Sequence, residues 1–569
     1  MAASRDTGNV RGIATSCLIA CSAIFLSSCG GGSSSGASAT PTPAMTSPMM
    51  MAAAAQAAPS EDASDEDATG EGFRTVPKAR CSEEDHPETG LQGQVSAALR
   101  ASGFGGFSCN LKLVGQVRGD GANWQTAEFN DRVHKCAYHG TSYSTANRSQ
   151  VGVPVVDVTN PTKPTVTGFL TTSSMLDPWE SLKVNERRQL LGADQAFNGG
   201  LFGSGGAAVD IYDLSGDCRY PQLLASVAVG KSDGTTGIPA GVVGHEGSWA
   251  PDGLTYYGGD LTNKQYYAVD TTVPTSPKLL ATWKTGVVVP AGGANLLTHG
   301  MSISDDGMRG YFVSLASLPA AGLTNPGVAP VNGLLIYDTS DIQLRKANPQ
   351  VQLISKLFWK DGGVSQHTIN VRIDGRPYIV FVDEGGPAGN GTTGPAAACA
   401  ASLPPYPMAR IIDIGDETNP VIVSRLALEV HDPANCSKTL PDIVGQTAFT
   451  YGSHYCSVDN RQNATTLVCG YFNSGIRVFD IRKPRHPKEI AYYNPAGTTT
   501  PSPGSNHIGP LVANNWVAGG PDWCSAQAHL DAREGVLWTT CQDNGLLVLK
   551  FEDKVWPFPT SRTPPGEQN

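Results

Sequence analysis

Three stretches decide how this chain is read: GHEGSWAPDG (residues 244–253), THGMSISDDG (298–307) and QHTINVRIDG (366–375). Each sets a histidine seven and eight residues ahead of an Asp-Gly pair: His245 before Asp252 and Gly253, His299 before Asp306 and Gly307, His367 before Asp374 and Gly375. Looser copies place His454 before Asp459 and Asn460, and His529 before Glu534 and Gly535. In every copy the histidine opens a short strand-like segment, a polar turn follows, and a second apolar segment leads away from it, as in a β-hairpin.

A third segment repeats as clearly and ends in aspartate: PVVDVTNP at Asp157, VDIYDLS at Asp213, YAVDTTVP at Asp270, LLIYDTSD at Asp338, RIIDIGDETNP at Asp413 and RVFDIRKP at Asp480. A turn rich in Pro, Asn, Asp or Ser comes next, and usually a fourth segment, as in PTVTGFL (164–170), PKLLATW (277–283) and PKEIAYY (487–493). Four short strands per repeat, recurring every ~40 to 75 residues without helical periodicity, predict an all-β fold: a single β-propeller with insertions. The count is seven four-stranded blades if the ends are joined. The last repeat, from His529 to Phe551, offers only three strands, while LKLVGQV (111–117) reads as a lone strand far upstream. That N-terminal strand is expected to complete the last blade, closing the ring and hiding two sheet edges.

The stretches VPVVDVTNPTKPTVTGFL (153–170) and IRVFDIRKPRHPKEIAYY (476–493) resemble the bacterial LVIVD-repeat family, whose repeats have the form GLxVVDVSDPxxPxLVG. The resemblance covers about Cys109 to Phe551 and implies an extracytoplasmic propeller, without implying a reaction. A more distant likeness, in propeller architecture and histidines near blade starts, is to the selenium-binding protein/methanethiol oxidase propellers, and it implies a copper-dependent oxidase.

Compartment is read from the N-terminus. Arg5 and Arg11 precede an apolar run, IATSCLIACSAIFL, too short to span a bilayer comfortably and followed by LSSCG. Leu26, Ser27, Ser28 and Cys29 fit a bacterial lipobox, so residues 1–28 read as a lipoprotein signal peptide and Cys29 as the lipidated first residue of the mature chain. Residues 29–75 are poor in large apolar side chains and read as a flexible tether, 76–108 as an N-terminal extension, 109–555 as the propeller and 556–569 as a tail. Gly30, rather than an acidic residue, after the lipidated cysteine points to the outer membrane. The expected partners are the membrane, through that anchor, and an unknown small molecule or protein at a propeller face.

Composition fits this picture. The 569 residues carry 65 Gly and 40 Pro but only 16% charged residues, as an all-β chain with many turns requires, and the net charge of −11 with no basic stripe argues against nucleic acid. Of 13 cysteines, Cys17 and Cys21 leave with the signal and Cys29 is lipidated. The even remainder predicts disulfides in an oxidising compartment. Cys456 with Cys469, and Cys524 with Cys541, fall on paired strands of one blade. Cys399 and Cys436 bracket an insertion, while the pairing of Cys81, Cys109, Cys136 and Cys218 is open.

In a radial fold, equivalent positions fall on a circle, so His245, His299, His367, His454 and His529 are expected to share a rim at the channel mouth. Some three or four of these imidazoles, with Glu246 and Glu180 nearby, would suit one divalent transition metal. Asp383 and Glu384, at the start of a long Gly/Ala insertion, are further candidates to reach the mouth. The alternative is that each histidine pins a neighbouring blade by a backbone hydrogen bond. HExxH and Walker patterns are absent from the sequence, and GSGGA (203–207) reads as a turn. Two functional readings stand: a lipid-anchored binding or interaction module, with or without a metal at the histidine ring, or a metal-dependent, copper-type oxidoreductase using that ring.

Overall fold

The computed structural model describes residues 73–141, 148–194, 208–227, 230–231, 244–261, 263–289, 295–391, 393–498, 500, 502–503 and 520–558. The signal peptide, Cys29, nearly all of the tether, the GSGGA turn and residues 559–569 lie outside the described residues. The strands form seven antiparallel blades of a β-propeller, each with four strands in meander order. Their innermost strands are Thr126–Asn130 (blade 1), Lys183–Asn185 (blade 2), Glu246–Trp249 (blade 3), Met301–Ile303 (blade 4), Gly363–Ile373 (blade 5), Cys456–Val458 (blade 6) and His529–Asp531 (blade 7).

The recurring aspartate has one local job. In each third strand, its carboxylate oxygen accepts from the backbone N–H two residues on: Asp157 from Thr159 at 2.9 Å, Asp213 from Ser215 at 2.8 Å, Asp270 from Thr272 at 2.9 Å, Asp338 from Ser340 at 2.9 Å, Asp413 from Gly415 at 2.8 Å and Asp480 from Arg482 at 3.1 Å. These Asx turns bend the chain into the fourth strand without help from the rest of the blade. The Asp-Gly pairs act one hairpin earlier. Asp374 and Gly375 have φ of 48° and 75°, both left-handed, and join Ile373 directly to Arg376 in the two-residue turn that suits the right-handed twist of paired strands. Where the third strand meets the fourth, the register slips by a bulge in every blade. Bulges add local twist to the outer pair of each blade.

The core lies between blades. Phe129 and Tyr138 of blade 1 pack on Leu191 and Tyr212 of blade 2, and such clusters recur around the ring until Trp538 and Val548 of blade 7 meet Ala137 and Val156 of blade 1. The strand Leu111–Val117 pairs antiparallel with Gly545–Phe551, Leu111 opposite Phe551 and Val117 opposite Leu546, so the N-terminal strand does complete the last blade. Just ahead of it, Phe107–Cys109 adds a fifth strand to the edge of blade 6, opposite Tyr492, Tyr493 and Asn494.

The extension before that strand is tied down. Val76 donates its N–H to Ala427 O at 2.8 Å, and Glu88 forms a buried ion pair with Arg477, which also holds Glu489 at 3.0 Å. Five disulfides join Cys81 to Cys109, Cys136 to Cys218, Cys399 to Cys436, Cys456 to Cys469 and Cys524 to Cys541, which includes the three pairs read from sequence. The Gly/Ala insertion of blade 5 carries a short helix, Gly394–Ala400, held by the third of these bridges. Trp556, in the expected tail, is buried against Phe551 with ring centroids 4.9 Å apart.

The closing strand separates two leucines cleanly. Leu111 is 1% exposed in the core between blades 6 and 7, whereas Leu113 is 41% exposed on the same strand. Leu111→Ala should cost about 2–4 kcal/mol in a denaturant titration, and Leu113→Ala less than about 0.5 kcal/mol.

Candidate metal centre

The blades share a register that the Asp-Gly offset only approximates. The reference pair is the one that closes the inner hairpin, except in blade 5, where Ile373 and Arg376 close one pair further on; the reference residues are Asn130, Asn185, Ala250, Ser304, Arg372, Asp459 and Asp531, opposite Lys135, Leu190, Thr255, Arg309, Pro377, Thr466 and Val536. Five residues before each stand Gln125, Glu180, His245, His299, His367, His454 and Ala526. Glu180 is therefore the blade-2 counterpart of the histidines. His529 is not the blade-7 counterpart. It lies three residues further along its strand than Ala526, donates to or accepts from Thr126 Oγ1 at 2.9 Å, and stacks on Trp538 at 4.3 Å. The structure does not bring it to the others.

What the ring does bring together meets on one carboxylate. Glu180 Oε2 lies 3.3 Å from His245 Nε2 and 3.1 Å from His299 Nε2, while Glu180 Oε1 lies 2.9 Å from His454 Nε2. Glu384 Oε2 stands 3.1 Å from the same His454 nitrogen, and Glu246 Oε2 stands 3.0 Å from His299 Nδ1. Two further groups join: Gln366 donates to Glu246 at 3.3 Å, and the Lys183 ammonium lies 3.6 Å from Glu246 and 5.0 Å above the ring of Tyr455. His367 sits at the edge, stacked on Tyr455 at 4.7 Å, its Nδ1 meeting the Gln366 side chain and its Nε2 buried without a hydrogen-bond partner.

These groups are buried rather than displayed on a rim: His299 and His454 are each 1% exposed and Glu180 2%. An aromatic wall accounts for part of that. Trp124 packs 5.0 Å from His454 and 6.0 Å from Trp179, which lies 5.8 Å from His245, and Phe449, Phe472 and Trp523 back Trp124. Glycine is required where the inner strands crowd. A Cβ at Gly300 would stand 2.5 Å from Gln366 O and 2.7 Å from Glu246 Oε2.

Burial and charge oppose each other here. Burial would raise the Glu180 carboxyl, but the His299 charge and hydrogen bonds from His245, His299 and His454 hold it well below the usual range. Burial would lower His299, yet Glu180 and Glu246 carry it well above 6.5; burial would lower His454, yet Glu180 and Glu384 carry it up to about 9. His367, by contrast, is pushed well below its usual value by burial and by the charges of Lys183 and His454, and burial takes His529 down to about 3.

The donor set fits a first-row metal. Two ligand atoms each ~2.1 Å from one ion stand ~3.0 Å apart at a right angle and ~3.4 Å apart at the tetrahedral angle. The nitrogen–oxygen separations of 3.1 to 3.3 Å at Glu180 Oε2 and Glu384 Oε2 fall in that interval, and the 2.9 Å between Glu180 Oε1 and His454 Nε2 lies just below it. Tautomers fit as well. His299 Nδ1 lies 2.9 Å from Gln366 O of blade 5, and His454 Nδ1 lies 2.9 Å from Ser525 O ahead of blade 7, so Nδ1–H given to a carbonyl leaves each Nε2 lone pair for a metal.

Asp383 does not reach this cluster. It is bound to Arg410 at 2.9 Å, Asn332 at 2.9 Å and Trp359 Nε1 at 2.9 Å, because successive residues of a strand face opposite sides and Glu384 takes the inner one. Lys183, Gln366, Tyr455 and Trp124 were not singled out in the sequence. Only Trp124 had a signal there, sharing the position of Trp179 directly before the ring residue.

No protein-family model and no curated protein matches the chain. Among solved structures, Kuenenia stuttgartiensis hydrazine synthase is 11% identical with a TM-score of 0.43, over 76% of this chain and 96% of that one. A Lactobacillus plantarum protein is 12% identical with a TM-score of 0.42, over 70% of this chain and 87% of that one. Likenesses this remote carry no argument about activity, and the blades described above define the fold on their own.

In metal-free protein His454 gains its proton on folding, its pKa standing above the ~6.5 of an unfolded histidine. Its contribution is full below pH 6.5 and is lost as pH rises through about 9, a decline of up to about 3 kcal/mol between those limits. Imidazole resonances should show His454 deprotonating near pH 9 and His529 neutral down to about pH 3. A His454 resonance titrating near 6.5 would contradict this geometry.

Proposed function

We propose that this protein is an extracytoplasmic, lipid-anchored propeller of the LVIVD-repeat type that binds a divalent transition metal on its axis and presents a blade face to a small molecule or protein. The observation that carries the metal is the buried Glu180 carboxylate facing the Nε2 atoms of His245, His299 and His454, each supplied by a different blade. An isolated buried carboxylate is costly, and a cation on the same donors neutralises it while joining blades 2, 3, 4 and 6 at their inner strands.

Compartment rests on two supports. The lipobox from Leu26 to Cys29 supplies the anchor, and five disulfides suit an oxidising space. Among the described residues no helix is long and apolar enough to cross a membrane, so the acyl chains would hold the protein to the outer membrane.

A second reading, metal-dependent oxidoreductase, is favoured by the donor types. His245, His299 and Glu180 make a two-histidine, one-carboxylate set, which suits non-haem iron better than copper. All ten cysteines of the described residues are in disulfides, leaving no thiolate for a soft cuprous ion.

Protein purified without chelator should contain stoichiometric transition metal by elemental analysis. His299→Ala should weaken binding by at least the ~10–100-fold that loss of an outer-shell partner costs, and His486→Ala, in the KPRHPKE turn, should leave it unchanged. Affinity should rise with pH through the neutral range, because His299 and His454 must shed protons to ligate. Metal-free protein that melts as high as metal-loaded protein would leave the histidines with the pinning role alone. For the anchor, Cys29→Ser should shift the protein out of the detergent phase, and unchanged partitioning would assign anchoring to another segment.

A further inference from the structure

The donors around Glu180 divide into two sets, one on each of its oxygens. His245 Nε2 and His299 Nε2 lie 3.3 and 3.1 Å from Oε2, whereas His454 Nε2 lies 2.9 Å from Oε1 and 3.1 Å from Glu384 Oε2. Each set is a complete triad, Glu180/His245/His299 and Glu180/Glu384/His454, with ligand atoms within 4.8 Å of one another. A single ion could serve both sets only by drawing on both oxygens of Glu180 at once. The two oxygens of one carboxylate, by contrast, are a natural bridge between ions ~3.5–4 Å apart.

We infer that this is a dinuclear centre: one ion on His245, His299 and Glu180 Oε2, a second on His454, Glu384 and Glu180 Oε1, with the Glu180 carboxylate shared between them. The inference rests on the metal-binding reading above and extends it to a second ion that the sequence offset did not suggest. The surroundings are built for both. Glu246, 3.0 Å from His299 Nδ1, orients the first triad from outside, and Ser525 O, 2.9 Å from His454 Nδ1, does so for the second. His367 Nε2, buried without a partner beside Tyr455, whose ring lies 4.9 Å from that of His454, is a spare donor at the same depth.

Charge then fixes what else enters. Three carboxylates, Glu180, Glu246 and Glu384, face one ammonium, Lys183, so with neutral imidazoles the cluster carries two negative charges in excess. One divalent ion balances it. A second leaves two positive charges in excess, and the centre takes an anion, hydroxide or a small oxyanion, as its remaining ligand.

Mn(II) alone, titrated into the metal-free full-length chain and followed by electron paramagnetic resonance, tests this without a variant. Two equivalents should bind, the second replacing the isolated-ion signal with that of an exchange-coupled pair. Glu384→Gln and His245→Ala should each retain one equivalent with an uncoupled signal, circular dichroism confirming the fold. One equivalent in the wild type, kept in Glu384→Gln and lost in His245→Ala, would overturn the second site and leave the single-metal reading standing. One equivalent lost in both variants would overturn it in favour of a single ion spanning both triads. No uptake at all would remove both readings.

Discussion

A carboxylate buried among the inner strands of a propeller must be met by positive charge or hydrogen-bond donors, and Glu180 is met by three blades at once. That requirement disciplines the rest of the ring. The imidazoles can reach Glu180 only if the inner strands of blades 3, 4 and 6 begin at one height, which the common distance to the hairpin closure ensures. The same rings use their second nitrogen outward: His299 holds Gln366 O of blade 5 and His454 holds Ser525 O near blade 7. Pinning and ligation, which the sequence poses as rival roles, are thus two ends of one side chain. The tryptophan wall beside them excludes water and strengthens every charge interaction inside.

Much of the fold was legible because its signals are local. An aspartate that caps its own turn needs no tertiary partner, so six of the seven blades announce their third strand in the sequence. The orphan strand LKLVGQV was legible by elimination, since a three-stranded last repeat lacks an edge. By contrast, Phe107–Cys109 has three residues and no period to detect. Cysteines on adjacent strands were paired from sequence, whereas Cys136 and Cys218 join neighbouring blades, a tertiary contact with no local sign.

The site was half legible for the same reason. Counting from the Asp-Gly turn worked where turn lengths agree and misled at His529, whose shorter offset reflects a different place on the strand rather than a longer turn. At His454 the opposite holds: the turn from Asp459 to Thr466 is longer, and the histidine keeps its proper height. Lys183 reads in the sequence as an ordinary strand lysine, and only the closeness of Glu246 from the next blade gives it a role.

The clasp between Leu111–Val117 and Gly545–Phe551 joins partners that synthesis delivers at opposite times. Gln116 donates to Asn544 O across 428 residues, so a strand made before blade 1 waits for the last strand before its edge is covered. Every contact of this kind carries the full loop-closure cost before any reward, and until it forms the unpaired strand is an open edge. Domain assembly is therefore all-or-none with respect to length. A chain interrupted anywhere before its last fifty residues leaves an open arc with two sticky edges, not a smaller propeller.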